Sequence, residues 1–127
     1  MRKILIVDDD EIQLFGMQSY IHEFHGDTYR VLTATSGEDC LKLLETEQDL
    51  PDLIILDVMM PGMNGYELYK KLRMNPVLED IPIVFLTAAL DFLKNIGDNE
   101  IQSDFIEKPV DMEDLICIIQ KKISVCP

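Results

Sequence analysis

The sequence predicts an α/β fold built on a doubly wound parallel sheet. Short runs that are almost entirely apolar alternate with longer segments whose apolar residues recur at helical spacing. This alternation continues through 127 residues, the length of one ordinary domain. Several of the short runs lack the apolar–polar alternation of a half-exposed strand. We therefore expect helices to cover both faces of the sheet.

Local signals predict each element in turn. The five predicted strands cover residues 3–7, 29–34, 53–56, 82–86 and 104–107. Five helices are predicted at residues 11–24, from Ser36 to about Glu47, at 65–75, at 90–102 and from Asp111 to about Val125. Ser36, Asn64 and Asp111 are N-cap residues at helix starts, and Pro76 ends the third helix. The fourth helical segment is the weakest, being polar and interrupted by Gly97, so we predict a short or mobile helix there.

Composition and charge restrict the possible functions. The chain has 11 Lys and Arg against 24 Asp and Glu, a net charge of −13, which disfavours direct binding to nucleic acid or to anionic membranes. No apolar run approaches the ~18 residues of a membrane span, and the first run ends at three aspartates, too early for a signal peptide. We therefore expect a cytoplasmic protein.

The cysteines and histidines give weaker signals. Cys40, Cys117 and Cys126 are odd in number and lack metal-ligand spacing, which favours a reducing compartment. Because Cys40 and Cys117 sit among apolar helical positions, we expect both to be buried and inert. His22 and His25 have the spacing of a helical metal pair, but we interpret them as solvated surface residues of the first helix. Its apolar residues, expected to provide its packing, are Ile12, Phe15, Met17, Ile21 and Phe24.

Polar residues follow four of the predicted strands at the point where each strand ends. They are, in chain order, Asp8–Asp10, Asp57, Thr87 and Lys108. In a parallel sheet these positions meet at one edge, where α/β proteins bind ligands. Each residue alone could be a loop residue or a helix cap. Their joint occurrence in this order predicts a functional site.

The residue types indicate the chemistry of that site. Carboxylates this close repel one another unless a cation lies among them, and oxygen ligands suit Mg²⁺. One carboxylate could attack a phosphoryl group. A lysine ammonium and a threonine hydroxyl would then stabilise the phosphoryl oxygens.

Four motifs resemble those of the receiver domain of bacterial two-component response regulators, a domain similar to the chemotaxis regulators. The resemblance extends from Met1 to about Val125. The motifs are Ile-Leu-Ile-Val-Asp8-Asp9-Asp10, Asp52-Leu-Ile-Ile-Leu-Asp57-Val-Met-Met-Pro-Gly-Met-Asn-Gly65, Pro82-Ile-Val-Phe-Leu-Thr87-Ala88 and Phe105-Ile-Glu-Lys108-Pro109.

The resemblance implies a role for each matching residue. Asp57 would be the phosphoacceptor, and Lys108 would pair with the phosphoryl group. Mg²⁺ would be held directly by Asp9 and Asp57, mainly through water by Asp8, and by the backbone carbonyl of Met59. Thr87 and Phe105 would be the switch residues, Lys108–Pro109 a cis peptide, and Asp10 only a helix cap.

The resemblance also implies a flavodoxin-like domain over residues 1–127, with strand order 2-1-3-4-5 and five helices.

A histidine kinase or histidine phosphotransfer protein would be the phosphoryl donor. A downstream protein target or a fused effector domain would read the face formed by the fourth helix, fifth strand and last helix. Gln102-Ser103 departs from the Gly-Ala of many receivers, which leaves the shape of that face open. The chain would be a signalling phosphoacceptor and not an enzyme, apart from phosphorylating itself from small donors and slowly losing the group.

Two alternatives remain. A phosphatase working through an aspartyl-phosphate would need an acidic residue two positions after Asp57, where this chain has Met59. A receiver-fold interaction module that works without phosphorylation would not need the complete set of site residues. Both alternatives are therefore disfavoured.

Overall fold

The computed structural model describes residues 1–46, 49–88 and 104–123. Its strands are β1 (Arg2–Val7), β2 (Tyr29–Ala34), β3 (Leu53–Asp57), β4 (Ile83–Thr87) and β5 (Asp104–Glu107). The helices in this part of the chain are α1 (Glu11–His25), α2 (Gly37–Thr46), α3 (Gly65–Arg73) and α4 (Met112–Lys122). The helix predicted at 90–102 lies outside the described residues, so α4 is the helix predicted to begin at Asp111.

The five strands form one parallel sheet in the order β2-β1-β3-β4-β5, as predicted. Pairing places Val7 beside Ala34 and Leu56, and Asp57 beside Leu86. The carboxyl ends of the strands are thereby aligned, so the residues that follow them share one edge of the sheet.

Two apolar cores cover the two faces of the sheet. Alternate residues of each central strand enter different cores: Leu5 and Leu56 belong to one, Ile6 and Ile55 to the other. Helices α2 and α3 pack on the first face, and α1 and α4 on the second. This two-sided burial explains why the central strands are apolar at every position.

The predicted helix caps are confirmed. Asp10 accepts hydrogen bonds from the backbone N–H groups of the first turn of α1, and Asp111 does the same for α4. Asn64 and Glu67 form a reciprocal capping box at the start of α3. Ser36 Oγ accepts from the N–H of Asp39 at 3.0 Å before α2.

The prediction for α1 was partly wrong. Its buried row is Leu14, Met17 and Ile21, whereas Ile12, Phe15 and Phe24 are 86%, 69% and 60% exposed. Apolar residues surround this helix on every side, so periodicity alone did not identify the row that faces the sheet.

The prediction for the cysteines was also half right. Cys40 is buried, and burial raises the pKa of its thiol to about 12. Cys117 is exposed, because α4 turns Leu115, Ile116 and Ile119 toward the core and Cys117 lies on the opposite side. His22 is exposed, as expected, and the His25 ring lies 6.2 Å from the ring of Tyr29. None of the described helices combines the length and the apolar character that a bilayer span requires.

Candidate functional site

The site lies just after the carboxyl ends of the strands, where backbone hydrogen bonds continue the pattern of the sheet. The N–H of Asp8 donates to the carbonyl of Ala34, and the N–H of Lys108 donates to the carbonyl of Thr87, at 3.1 and 2.9 Å. The N–H of Val58 likewise donates to the carbonyl of Leu86 at 3.0 Å. These bonds fix the backbone of the residues that follow the strands.

Asp8, Asp9 and Asp57 form an acidic cluster at this edge. One carboxylate oxygen from each lies within 4.8 Å of the others. Asp8 and Asp57 are buried, whereas Asp9 is exposed. The backbone fixes the two buried carboxylates, since Asp8 Oδ1 accepts from the N–H of Asp10 at 2.9 Å and Asp57 Oδ1 accepts from the N–H of Met59 at 3.3 Å.

Lys108 extends its ammonium group into the cluster. Its Nζ lies 3.1 Å from Asp57 Oδ2 and 3.4 Å from Asp8 Oδ2. The lysine therefore bridges the two buried carboxylates, as expected for residues from β1, β3 and β5 that meet at one edge. One ammonium cannot neutralise three carboxylates, so the cluster has an excess of negative charge.

Burial, together with this negative charge, changes the pKa of the central carboxyl group, that of Asp57. The pKa of Asp57 is raised to about 7, mainly by burial and also by the nearby negative charge of Asp8, while Lys108 acts in the opposite direction. The Asp57 carboxylate is therefore poorly stabilised by its protein partners alone.

The cluster fits a divalent cation. Asp8 Oδ2 is buried and accepts no hydrogen bond among the described residues; its ionic partner, Lys108 Nζ at 3.4 Å, is shared with Asp57, so the two buried carboxylates keep negative charge that a divalent cation could neutralise. All the candidate side-chain ligands are carboxylate oxygens, the donors that Mg²⁺ prefers. Exposed Asp9 leaves one side of the cluster open to water, which Mg²⁺ retains when bound. The side chain of Met59 lies at the rim, 59% exposed, and the role of its carbonyl stays a prediction.

Gly65 packs the start of α3 against the backbone of Asp57. A Cβ at this position would collide with the carbonyl oxygen of Asp57, and the N–H of Gly65 donates to the carbonyl of Val58 at 2.9 Å. Gly62 makes the preceding turn with a φ of 75°. Sequence analysis missed the role of Gly65, although its position directly after the cap Asn64 was a usable signal.

The two expected switch residues lie on neighbouring strands. Thr87 is fully buried at the end of β4, and Phe105 is half-buried on β5. The ring of Phe105 stacks on Phe85 at a centroid distance of 5.4 Å, and Phe85 contacts Tyr69 of α3 at 5.3 Å. The predicted cis peptide between Lys108 and Pro109 is present.

The structure thus brings Asp8, Asp9, Asp57 and Lys108 together and places Thr87 at the same edge. Asp10 is turned away to cap α1, as predicted. His22 and His25 lie in the last turns of α1, far along the helix from this edge. Predictions that concern Ala89, Gln102 and Ser103 fall outside the described residues.

Comparisons with known proteins agree with this geometry. Residues 4–120 match the response regulator receiver domain family. The chain is 39% identical to the response regulator PleD of Caulobacter vibrioides over 115 residues, which cover 86% of this chain but 23% of PleD. It is 32% identical to the protein PilH of Pseudomonas aeruginosa over 125 residues, 98% of this chain and 99% of PilH.

Solved structures show the same similarity. The response regulator TrrA of Thermotoga maritima, in complex with Mg²⁺ and BeF, matches with a TM-score of 0.76 and 27% identity over 97% of this chain and 100% of that one. The chain spans less than a quarter of PleD but nearly all of PilH. On the family match, the PilH similarity and the arrangement of the strand-end residues, this chain belongs to the response regulator receiver domain family.

Proposed function

We propose that this domain accepts a phosphoryl group on Asp57 from the phosphohistidine of a histidine kinase or histidine phosphotransfer protein, in a reaction that requires Mg²⁺. The observation that carries the proposal is the Lys108 bridge inside an acidic cluster that it cannot neutralise. Such a cluster is suited to bind a divalent cation and an incoming phosphoryl group together.

The residues that would hold Mg²⁺ are Asp8, Asp9 and Asp57, with the backbone carbonyl of Met59. When bound, the ion neutralises negative charge on the carboxylates and on the phosphoryl oxygens. The mixed burial of the cluster supports this assignment, because two carboxylates are fixed inside the protein and one faces solvent. The TrrA structure, which contains Mg²⁺ and BeF, supports it from a related fold.

The chemical step would exchange one bond for another at phosphorus. An Asp57 carboxylate oxygen attacks the phosphorus atom, a P–O bond forms, and the P–N bond to the donor histidine breaks. The electron pair returns to the imidazole, which takes a proton from solvent. Asp57 must be ionised to attack, so any cation that lowers its raised pKa promotes the reaction.

Lys108 would stay with the phosphoryl group after transfer. Its Nζ already lies 3.1 Å from the acceptor carboxylate, so it can pair with the new phosphoryl oxygens without a large movement. The hydroxyl of Thr87 would turn toward the same oxygens, and Phe105 would repack with it. This coupling is supported by the position of Thr87 at the site edge and by the contact of Phe105 with the buried ring of Phe85.

The chain would then act as a signalling phosphoacceptor in the cytoplasm and not as an enzyme with rapid turnover. Residues 1–127 would form one receiver domain whose altered face is read by a downstream protein or by a fused effector domain. Met59 stands where an aspartyl-phosphate phosphatase would need a second acid, which supports slow loss of the phosphoryl group. If the phosphoryl group is transferred to the protein but the aspartyl-phosphate does not persist, the phosphatase alternative is favoured.

The test is phosphorylation by acetyl phosphate with and without Mg²⁺, read by intact mass. Wild-type protein should gain one phosphoryl group only when Mg²⁺ is present. Asp57→Asn should gain none, because the amide oxygen is a poor nucleophile and cannot form the acyl phosphate. A phosphorylated histidine phosphotransfer protein then replaces acetyl phosphate as the donor.

The control is Asp10→Asn, since Asp10 lies in the same run of acids but caps α1. It should be phosphorylated like the wild type. If neither donor modifies the wild type, the phosphoacceptor proposal fails and an interaction module that works without phosphorylation is favoured.

A further inference from the structure

The loop between β3 and α3, residues 58–64, begins at the acidic cluster. At its start the N–H of Met59 donates to Asp57 Oδ1 at 3.3 Å, which ties the loop backbone to the central carboxylate. Further along, the backbone of residues 60–63 makes no hydrogen bond to any other described residue. Packing of side chains must therefore fix the middle of this loop.

Met63 supplies that packing by lying against the first turn of α2. Its side chain is half-buried and packs against the core on the face of α2 and α3. Gly37, the first residue of α2, is buried next to it. A Cβ on Gly37 would lie 2.7 Å from Met63 Sδ and 3.2 Å from both Cβ and Cγ of the same side chain. Three atoms of Met63 thus occupy the space that any larger residue at position 37 would need.

This contact involves the backbone of the loop as well as the side chain of Met63. Rotation about the side-chain bonds can move Sδ, but the Cβ of Met63 is fixed to its own Cα. The close approach to that Cβ can be relieved only by moving the backbone of the loop or of α2. Helix α2 is anchored by Cys40 and Leu44, which are buried in the core, so the loop is the part that would move.

We propose that Met63, packed on Gly37, is a positioning residue that holds the β3–α3 loop and thereby places the backbone of Met59 beside Asp57. The inference rests on the proposed function, in which the Met59 carbonyl is a ligand of Mg²⁺. A loop that is already held in place loses little conformational entropy when the ion binds, so its packing adds to the affinity for Mg²⁺. Residues that support metal ligands commonly change metal affinity by about 10-fold or more.

The test measures the affinity for Mg²⁺ from backbone amide shifts of the ¹⁵N-labelled full chain. Met63→Ala and Gly37→Ala should each raise the Kd for Mg²⁺ by about 10-fold, the first by removing the side chain and the second by displacing it. Adding Met63→Ala to Gly37→Ala should cause little further loss, because both changes act on one contact. Before Mg²⁺ is added, Gly37→Ala should already shift the amide signals of Val58 and Met59.

A second pair of glycine and methionine, on the other face of the sheet, is the matched control. Met112 is also half-buried and packs against the second core. A Cβ on Gly16 of α1 would lie 3.9 Å from Met112 Cε, an ordinary van der Waals distance. Gly16→Ala and Met112→Ala should therefore leave both the Kd for Mg²⁺ and the amide signals of the β3–α3 loop unchanged.

The phosphorylation rate separates a positioning role from general damage to the fold. Met63→Ala should need more Mg²⁺ for phosphorylation by acetyl phosphate, yet reach a rate within about threefold of the wild type when Mg²⁺ saturates. The proposal is overturned if the Kd of either variant stays within about twofold of the wild type, or if the two pairs have equal effects. It is also overturned if the rate of Met63→Ala stays low at saturating Mg²⁺. If the wild type itself binds no Mg²⁺, the proposed function fails, whereas the metal-free amide signals of Gly37→Ala still decide whether Met63 holds the loop.

Discussion

Charged groups are paired at the amino ends of the parallel strands and are in excess of one sign at the carboxyl ends. At the amino ends, buried Lys3 donates from Nζ to the carbonyl of Asp49 at 2.8 Å, and its N–H donates to Asp52 Oδ2 at 2.8 Å. Asp52 Oδ1 also lies 3.5 Å from the guanidinium of Arg2. Lys3, Arg2 and Asp52 thus each have a polar or charged partner, and these contacts stabilise this end of the sheet.

At the carboxyl ends the charges do not match. Three carboxylates cluster there, and Lys108 pairs with the two buried ones, Asp8 and Asp57. One buried oxygen of Asp8 has no hydrogen-bond partner in the described part of the chain, and the pKa of Asp57 is raised to about 7. The fold holds these groups together by continuing its sheet hydrogen bonds past the strands. A balanced end contributes to stability, and an unbalanced end is suited to bind a cation, as the proposed function requires.

The largest expected effect comes from removing Lys108, the cation that lies between the two buried carboxylates. Lys108→Ala should slow phosphorylation of Asp57 by acetyl phosphate about 10²-fold to 10³-fold, because the phosphoryl oxygens lose a charged partner and the carboxylates repel more strongly. The rate is measured by intact mass at saturating Mg²⁺. Lys121→Ala, an exposed change on α4, should leave the rate unaltered. A rate for Lys108→Ala within about threefold of wild type would show that the bridge has no role in transfer.

The next effect is on stability and has a defined pH window. The pKa of Asp57 is raised to about 7 from its ordinary 3.8, so between these values the folded protein binds more protons than the unfolded chain. Metal-free stability should therefore fall as pH rises from about 4 to about 7 and remain low above that. Asp57→Asn should increase the free energy of unfolding at pH 8 by about 2–3 kcal/mol.

Urea unfolding at pH 8 measures this gain. Saturating Mg²⁺ should stabilise the wild type by a similar amount and Asp57→Asn much less, because the variant has lost one of the carboxylates. If Asp57→Asn is less stable than the wild type without Mg²⁺, the carboxylate is better satisfied in the folded protein than its contacts indicate.

The difference between the two ends also explains which features of the structure could be predicted from the sequence. The site at the carboxyl ends could be predicted because a parallel topology brings the ends of all strands to one edge of the sheet. Residues far apart in the chain could therefore be placed together from the order of the strands and the residues that follow them. Asp8, Asp57, Thr87 and Lys108 were all identified in this way. Their distances could not be predicted, because the bridge of Lys108 depends on side-chain conformations that the packed site selects.

The amino-end pairing was not predicted at all. Lys3 lies outside the four motifs, and Asp52 opens the Asp57 motif without a role of its own. Their contact depends on the exact register between β1 and β3, which a run of apolar residues does not specify. The exposed face of α1 was missed for a related reason. With apolar residues around the whole helix, only tertiary packing decides which row is buried.

The smallest effect should come from the balanced end. Asp52→Ala removes the acceptor for the Lys3 N–H and the partner of Arg2, and should cost about 1–2 kcal/mol of unfolding free energy, mostly from the hydrogen bond. Asp49→Ala should cost much less, because Lys3 Nζ donates to the backbone carbonyl of Asp49, which this change retains. Neither variant should change the affinity for Mg²⁺ or the phosphorylation rate of Asp57. A loss of phosphorylation in Asp52→Ala without loss of folding would mean that the two ends are coupled through the strands, and the unbalanced end would then depend on the balanced one for its geometry.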